Sequence, residues 1–304
     1  MKSEESAGYK HVLFLLLTNL FPFFLVLVCH HIFGRNPSFS ASFIMLTPAT
    51  SVFVINILRY GHKSIPVYQK IFLINFLINA LLIIIWLTNK QLSKPLEIVR
   101  NASIIIASLS LLIFGFFETG TFSILRNVAK TKKLILFYLL ILAGCSFFTT
   151  ESSLLTLLYI IISWPFTFIM ECVIYLGEEI GWRGYLLSGL AKKWNKPIAI
   201  AVVAFFWEFW HIPFTLIPIL DHKIPLEAIF VRLGYTLALS VFLGYLYFET
   251  ENIWATSLCH CLSNLTTLYL DTYLSILICS LSLSVYPLFS CFRKRRIHNR
   301  SKPE

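Results

Sequence analysis

The chain has 304 residues, 57% of them hydrophobic and 16% aromatic, with only 13% charged and a mean hydropathy of +0.76. No soluble domain of this size hides so much apolar surface, so composition excludes a soluble globular enzyme and indicates an all-α polytopic membrane protein. The formal net charge of +10 does not imply nucleic acid: the basic residues sit between apolar runs and in the tail "RKRRIHNR", without interleaved aromatics or a binding fold.

The first residues, "MKSEESAGYK", lead into an apolar run over 11–33 with no small-residue cleavage site, read as a first membrane helix. Further runs follow at 41–58, 71–88, 102–122, 134–150, 165–191, 197–215, 226–248, 252–270 and 273–291. Runs of about 20 residues without strand alternation predict a bundle of about 8–10 transmembrane helices rather than a barrel. Ten crossings put both termini on one side. With the termini inside, the inner segments hold eighteen Lys and Arg, and the outer ones hold Arg35, Lys90, Lys94, Arg100 and Lys223. That bias favours cytoplasmic termini and a plasma-membrane location of bacterial type. The seven cysteines form no CxxC pair and read as small core residues.

One stretch is too long for a single crossing. From Glu151 to Lys192 is about 60 Å as one helix, twice the hydrocarbon thickness. Because proline suits a helix start, Pro165 predicts a helix from there to about Lys192, with 151–164 outside or re-entrant.

Ionisable residues inside spans are functional candidates, since each is costly there. The first half offers only His30, His31 and Glu118, near span ends. The second half holds Glu171, Glu178, Glu179, Arg183, Glu208, His211, Arg232 and His260, with Glu249 at a span edge and Asn264 beside them. At 1.5 Å per residue, Glu178 lies about 21 Å from Lys192, His211 about 22 Å from Lys196, and His260 and Asn264 about 14 and 20 Å from Glu251. Three helices therefore bring polar groups to a similar layer. Glu179 and Arg183 share a face and predict an internal ion pair, while Glu178 is turned about 100° away. His260 and Asn264 also share a face. A carboxylate, two imidazoles and an amide make a water-activating group, the histidines acting alone or through a metal. Glu171, seven residues before Glu178, is expected to line the same cavity or cap a water pocket. Arg232 and Glu249 are expected to satisfy one another or to surround the site. Glu208-x-x-His211 lacks the second such element a di-metal bundle needs, and Cys259 and Cys261 point away from His260 on a helix.

Glu178-Glu179-x-x-x-Arg183, then Trp207-x-x-x-His211, then His260-x-x-x-Asn264, together resemble the CAAX protease and bacteriocin-processing (CPBP, or Abi) family of intramembrane proteases, over roughly residues 160–270. The resemblance implies a helical bundle with a site opening to the cytosolic side. It implies Glu178 as general base, His211 assisting it or binding a metal, and His260 with Asn264 stabilising an oxyanion. Glu179 and Arg183 would hold the site together. A divalent metal such as zinc, if used, would take Glu178, His211 and His260. The family's usual phenylalanine is replaced by Trp207, so packing is expected to change and chemistry to survive. The chain then divides into N-terminal helices (1–150), a protease core (151–275) and a last helix with a basic tail (276–304). The expected partners are the bilayer and a membrane-associated peptide or protein substrate. The competing readings are a non-catalytic bacteriocin self-immunity or scaffold protein, and an ion-coupled carrier, for which no repeat symmetry is found.

Overall fold

A computed structural model describes residues 2–35, 37–61, 65–147, 154–221 and 223–269. In chain order, α1 (Lys2–Leu27) ends in a π turn (Val28–Ile32), and short α2 (Ala41–Met45) precedes α3 (Thr47–Tyr60). Then come α4 (Val67–Thr88), α5 (Ser93–Phe117), α6 (Val128–Phe147) and α7 (Leu154–Glu179). A π-helical segment (Ile180–Leu187) carries α7 into the single turn α8 (Ser188–Leu190), followed by α9 (Lys196–Leu220), α10 (Ala228–Thr250) and α11 (Ile253–Tyr269). No strand occurs among the described residues. Helices overlie every expected crossing except 273–291, which lies outside the described residues with the tail. Six of them are long and apolar enough to span a bilayer.

Apolar side chains cover the outside as well as the core, as a lipid solvent allows: Leu77, Ile106, Ile162 and Phe205 are all more than 60% exposed. Inside, polar side chains join helices where no water competes. Asn75 Nδ2 of α4 donates to the Ser103 carbonyl of α5 at 2.9 Å, and Trp164 Nε1 of α7 donates to the Leu258 carbonyl of α11 at 2.8 Å.

Pro165 does not start a helix. It lies within α7 on an exposed face, and the helical rod is continuous over Leu155–Leu190. A proline removes one backbone donor, and in a packed bundle the neighbouring contacts carry the helix through. At 36 residues the rod is about 54 Å long, so it must tilt or protrude. The described piece before Pro165 extends the same helix.

Successive helices alternate in direction. His11 at the start of α1 meets Gly189 at the end of α8, and His30 at the end of α1 faces Asp221 just past α9 at 3.4 Å. The turn between α10 and α11 is tied to the loop after α5. Arg126 pairs with Glu251, Asn252 Nδ2 donates to the carbonyls of Ile124 and Arg126, and Trp254 Nε1 donates to the Phe122 carbonyl. Lys10, Arg59, Lys70, Arg126–Lys133 and Lys192–Lys196 thus gather at one face of the bundle. Arg35, Lys90, Lys94, Arg100 and Lys223 mark the other.

Close approach of α3 to the rod positions the site. A Cβ at Gly177 would lie 2.6 Å from the Met45 carbonyl oxygen, and one at Gly181 2.4 Å from Pro48 Cβ. These glycines form a G-x-x-x-G pair, the spacing that lets membrane helices touch through their backbones. Gly184, by contrast, leaves 3.7 Å to its nearest neighbour. Gly181→Val is expected to force α3 away and lower stability by about 1–3 kcal/mol, with Gly184→Ala near neutral, as read by thermal unfolding in detergent.

Candidate active site

The buried acidic pair lies where α7 passes into the π-helical segment, and its two carboxylates do different work. Glu179 is fully buried, and its Oε1 accepts two bonds: from Arg183 Nη1 at 2.8 Å and from His260 Nδ1 at 2.9 Å. Arg183, also fully buried, uses Nη2 to donate to Ser240 Oγ of α10 at 3.3 Å, and its guanidinium stacks 4.2 Å from the Trp207 ring centre. The i, i+4 ion pair expected from the sequence is present. The link from Glu179 to His260 was not legible, since it joins residues 81 apart.

Glu178 points elsewhere, as the 100° turn requires. It is 1% exposed, and its Oε2 accepts the indole N–H of Trp207 at 2.7 Å. Among the described residues, Oε1 receives no protein donor. The aromatic residue four before His211 is therefore more than packing: a phenylalanine has no N–H to offer this carboxylate.

His211 Nδ1 lies 2.7 Å from the Trp207 carbonyl oxygen. A carbonyl only accepts, so Nδ1 carries the proton and Nε2 of a neutral ring is a lone-pair acceptor. His260 is held from three sides, by Glu179, by the Trp207 ring at 5.3 Å and by the Tyr175 ring at 5.5 Å. A carboxylate behind one ring nitrogen fixes the orientation of the other.

Trp207, His211, His260 and Asn264 line one cavity of about 370 Å³, and Glu178 lies behind the indole rather than in its wall. Arg232, Tyr235 and Thr236 of α10, with Thr215 and Thr267, add to its polar lining, and Tyr235 is bonded to Ser263. A larger cavity of about 520 Å³ lies at the basic face against Tyr185, Lys192 and Lys196. It touches none of the four predicted catalytic residues, so chemistry rather than size identifies the site.

Other expectations fare differently. Arg232 is paired across to Glu208 of α9, Nε to Oε1 at 3.9 Å, and not to Glu249. Glu171 is half-buried and lines neither cavity. Cys259 and Cys261 are buried and free. Among the described residues no group of three or more His, Cys, Asp or Glu side chains is gathered to hold a metal. Glu178, His211 and His260 as arranged do not make the three-ligand set that a catalytic zinc takes.

Glu179→Ala is expected to cost about 3–5 kcal/mol, because it strands the buried Arg183 charge and unties His260. Trp207→Phe should cost only about 1–3 kcal/mol, the penalty of a buried acceptor losing its donor. Thermal melting of the purified proteins in detergent separates the two.

Residues 156–266 match the family model for Type II CAAX prenyl endopeptidase Rce1-like proteins. No curated protein and no solved structure matches the chain. The matched stretch begins within α7, ends within α11, and includes Glu178, Glu179, Arg183, Trp207, His211, His260 and Asn264. That family implies an intramembrane protease. Within a multi-pass helical membrane protein, residues 156–266 thus match the Rce1-like CAAX prenyl endopeptidase domain of the CPBP family.

Proposed function

We propose that the chain is an intramembrane endopeptidase that hydrolyses a peptide bond of a membrane-associated peptide or protein, with Glu178 activating the water. The observation that carries this reading is convergence: α9 and α11 turn His211, His260 and Asn264 into one cavity, with the Glu178 carboxylate of α7 behind the indole that lines it. Such groups destabilise a purely structural membrane bundle, and a scaffold has no use for them.

The reaction needs a base, a positioned water and donors for the developing oxyanion. Nε2 of His211 accepts a hydrogen bond from water, which it holds in the cavity. With Oε2 held by the Trp207 indole N–H, the free Oε1 of Glu178 takes the water's proton as its oxygen attacks the carbonyl carbon. The tetrahedral oxyanion is met by the Asn264 amide N–H and by Nε2–H of His260 in its protonated form. Glu179 behind Nδ1 supports that charge. With Glu178 now protonated, two anions (Glu179 and the oxyanion) face two cations (Arg183, His260) within the dry interior. Collapse of the intermediate breaks the C–N bond, and the proton on Glu178 passes to the leaving amine. Loss of one oxyanion donor in comparable sites costs about 10²–10³ in rate.

Glu178→Ala, His211→Ala and His260→Ala should each lower processing at least about 10²-fold while the protein still inserts and melts as a folded bundle. Peptides recovered by mass spectrometry from cells with wild type and with Glu178→Ala should differ by the substrate and its fragments. An unchanged peptide set with immunity or partner stability retained would instead support the binding or self-immunity reading.

A further inference from the structure

The larger cavity, of about 520 Å³, has no part in the proposed chemistry, and its lining is of another kind. Its walls are helix ends: the last two turns of α3, the last turn of α10, and the first turns of α4 and α9, with the loops before α6 and α9. Three cations line it, Arg126, Lys192 and Lys196, against one carboxylate, Glu251, which Arg126 already pairs. Arg126 Nε is buried and meets no acceptor among the described residues. Lys196 Nζ lies 4.7 Å from the centre of the Phe248 ring, and among the described residues neither lysine is ion-paired.

An excess of cations in a cleft with low-dielectric walls attracts an anion. A phosphate ester meets the need best, since its several oxygens accept from lysine and guanidinium donors at once. The same cavity is also lined by Val52, Phe53, Phe122 and Ile180, so its occupant carries an apolar part beside the charge. Basic pockets between membrane helices hold lipid headgroups by this combination. Gly184 keeps the space open: a Cβ there would meet no atom closer than 3.7 Å. The volume lies within the range of about 300–1,000 Å³ usual for small-ligand sites.

We infer that this cavity is a binding site for a phosphate ester joined to an apolar group, the anionic phospholipid of the surrounding bilayer being its source. Lys192, Lys196 and Arg126 Nε hold the phosphate, and the apolar wall receives the first carbons beyond it. The inference is independent of the endopeptidase reading, because the cavity touches none of Glu178, His211, His260 and Asn264. Its consequence for the fold is local. Ile180, Gly184 and Tyr185 of the π-helical segment line the cavity, so a bound headgroup braces the stretch that carries Arg183.

The test is binding to the purified full chain in neutral detergent, read by native mass spectrometry and by the melting temperature. The probes are phosphatidylglycerol, phosphatidylcholine and glycerol phosphate. Phosphatidylglycerol should be retained and raise the melting temperature, and phosphatidylcholine should do neither. A basic residue near a headgroup is worth about fivefold, so Lys192→Gln with Lys196→Gln should weaken binding about 30-fold. Lys192→Arg with Lys196→Arg should keep it, as should Lys90→Gln with Lys94→Gln at the other face. Gly184→Leu, which fills the cavity and leaves every charge, should abolish it. Glycerol phosphate bound with the same lysine dependence, and phosphatidylglycerol not, would keep the phosphate site but overturn the lipid source. The site itself is overturned if no probe binds, if the two lipids bind equally, or if the Lys90 and Lys94 pair matters as much as Lys192 and Lys196. Binding that survives in a Gly184→Leu protein overturns it too, by placing the anion on surface lysines outside the cavity.

Discussion

One oxygen atom organises the catalytic half of the molecule. Glu179 Oε1 accepts from both Arg183 and His260, and through them α7, the π-helical segment and α11 share a single buried charge. Arg183 extends the same knot to α10 through Ser240 and to α9 through the Trp207 ring. In a medium of low dielectric such a network is strong when complete and costly when broken. The carboxylate therefore ties α7 to four other elements and fixes the orientation of an imidazole in one step, and the site inherits its rigidity from the core rather than from loops.

The adjacent glutamate shows how the rest of the site is kept apart from that knot. Glu178 faces the indole of Trp207, which serves two neighbours with two chemistries: its N–H binds a carboxylate and its ring face meets a guanidinium. Substitution of the family's phenylalanine by tryptophan thus adds a polar contact at the residue on which water activation is proposed to depend. The sequence reading anticipated a change of packing at this position and missed the hydrogen bond, because spacing places a ring but does not say where its edge points.

Local geometry was the legible part. The Glu179–Arg183 pair and the common face of His260 and Asn264 follow from helical spacing alone, and most crossings follow from apolar runs. Contacts between distant helices were not legible: Glu179 with His260, Arg232 with Glu208 rather than Glu249, and the fate of Glu171. Pro165 departs from the helix-start rule of soluble proteins because a packed bundle lets the rod continue. The Gly177-x-x-x-Gly181 spacing beside the glutamates is the sequence signal for the close approach of α3.

The π-helical segment sets a limit on how this motif can vary. Residues 180–187 wind with a wider turn than the α-helix before them, and Ser188 Oγ reaches back five residues to the Arg183 carbonyl. Such a segment stores, in effect, one residue more than an α-helix of the same length needs. Losing a single residue there could leave a perfectly good membrane helix, with hydropathy and length intact. Everything beyond the deletion would nevertheless be rotated by about 100° against Glu178 and Glu179. A homologue missing one residue between Glu179 and Arg183 would pass every test for a transmembrane segment and still have lost the phase relation between its acids and its arginine.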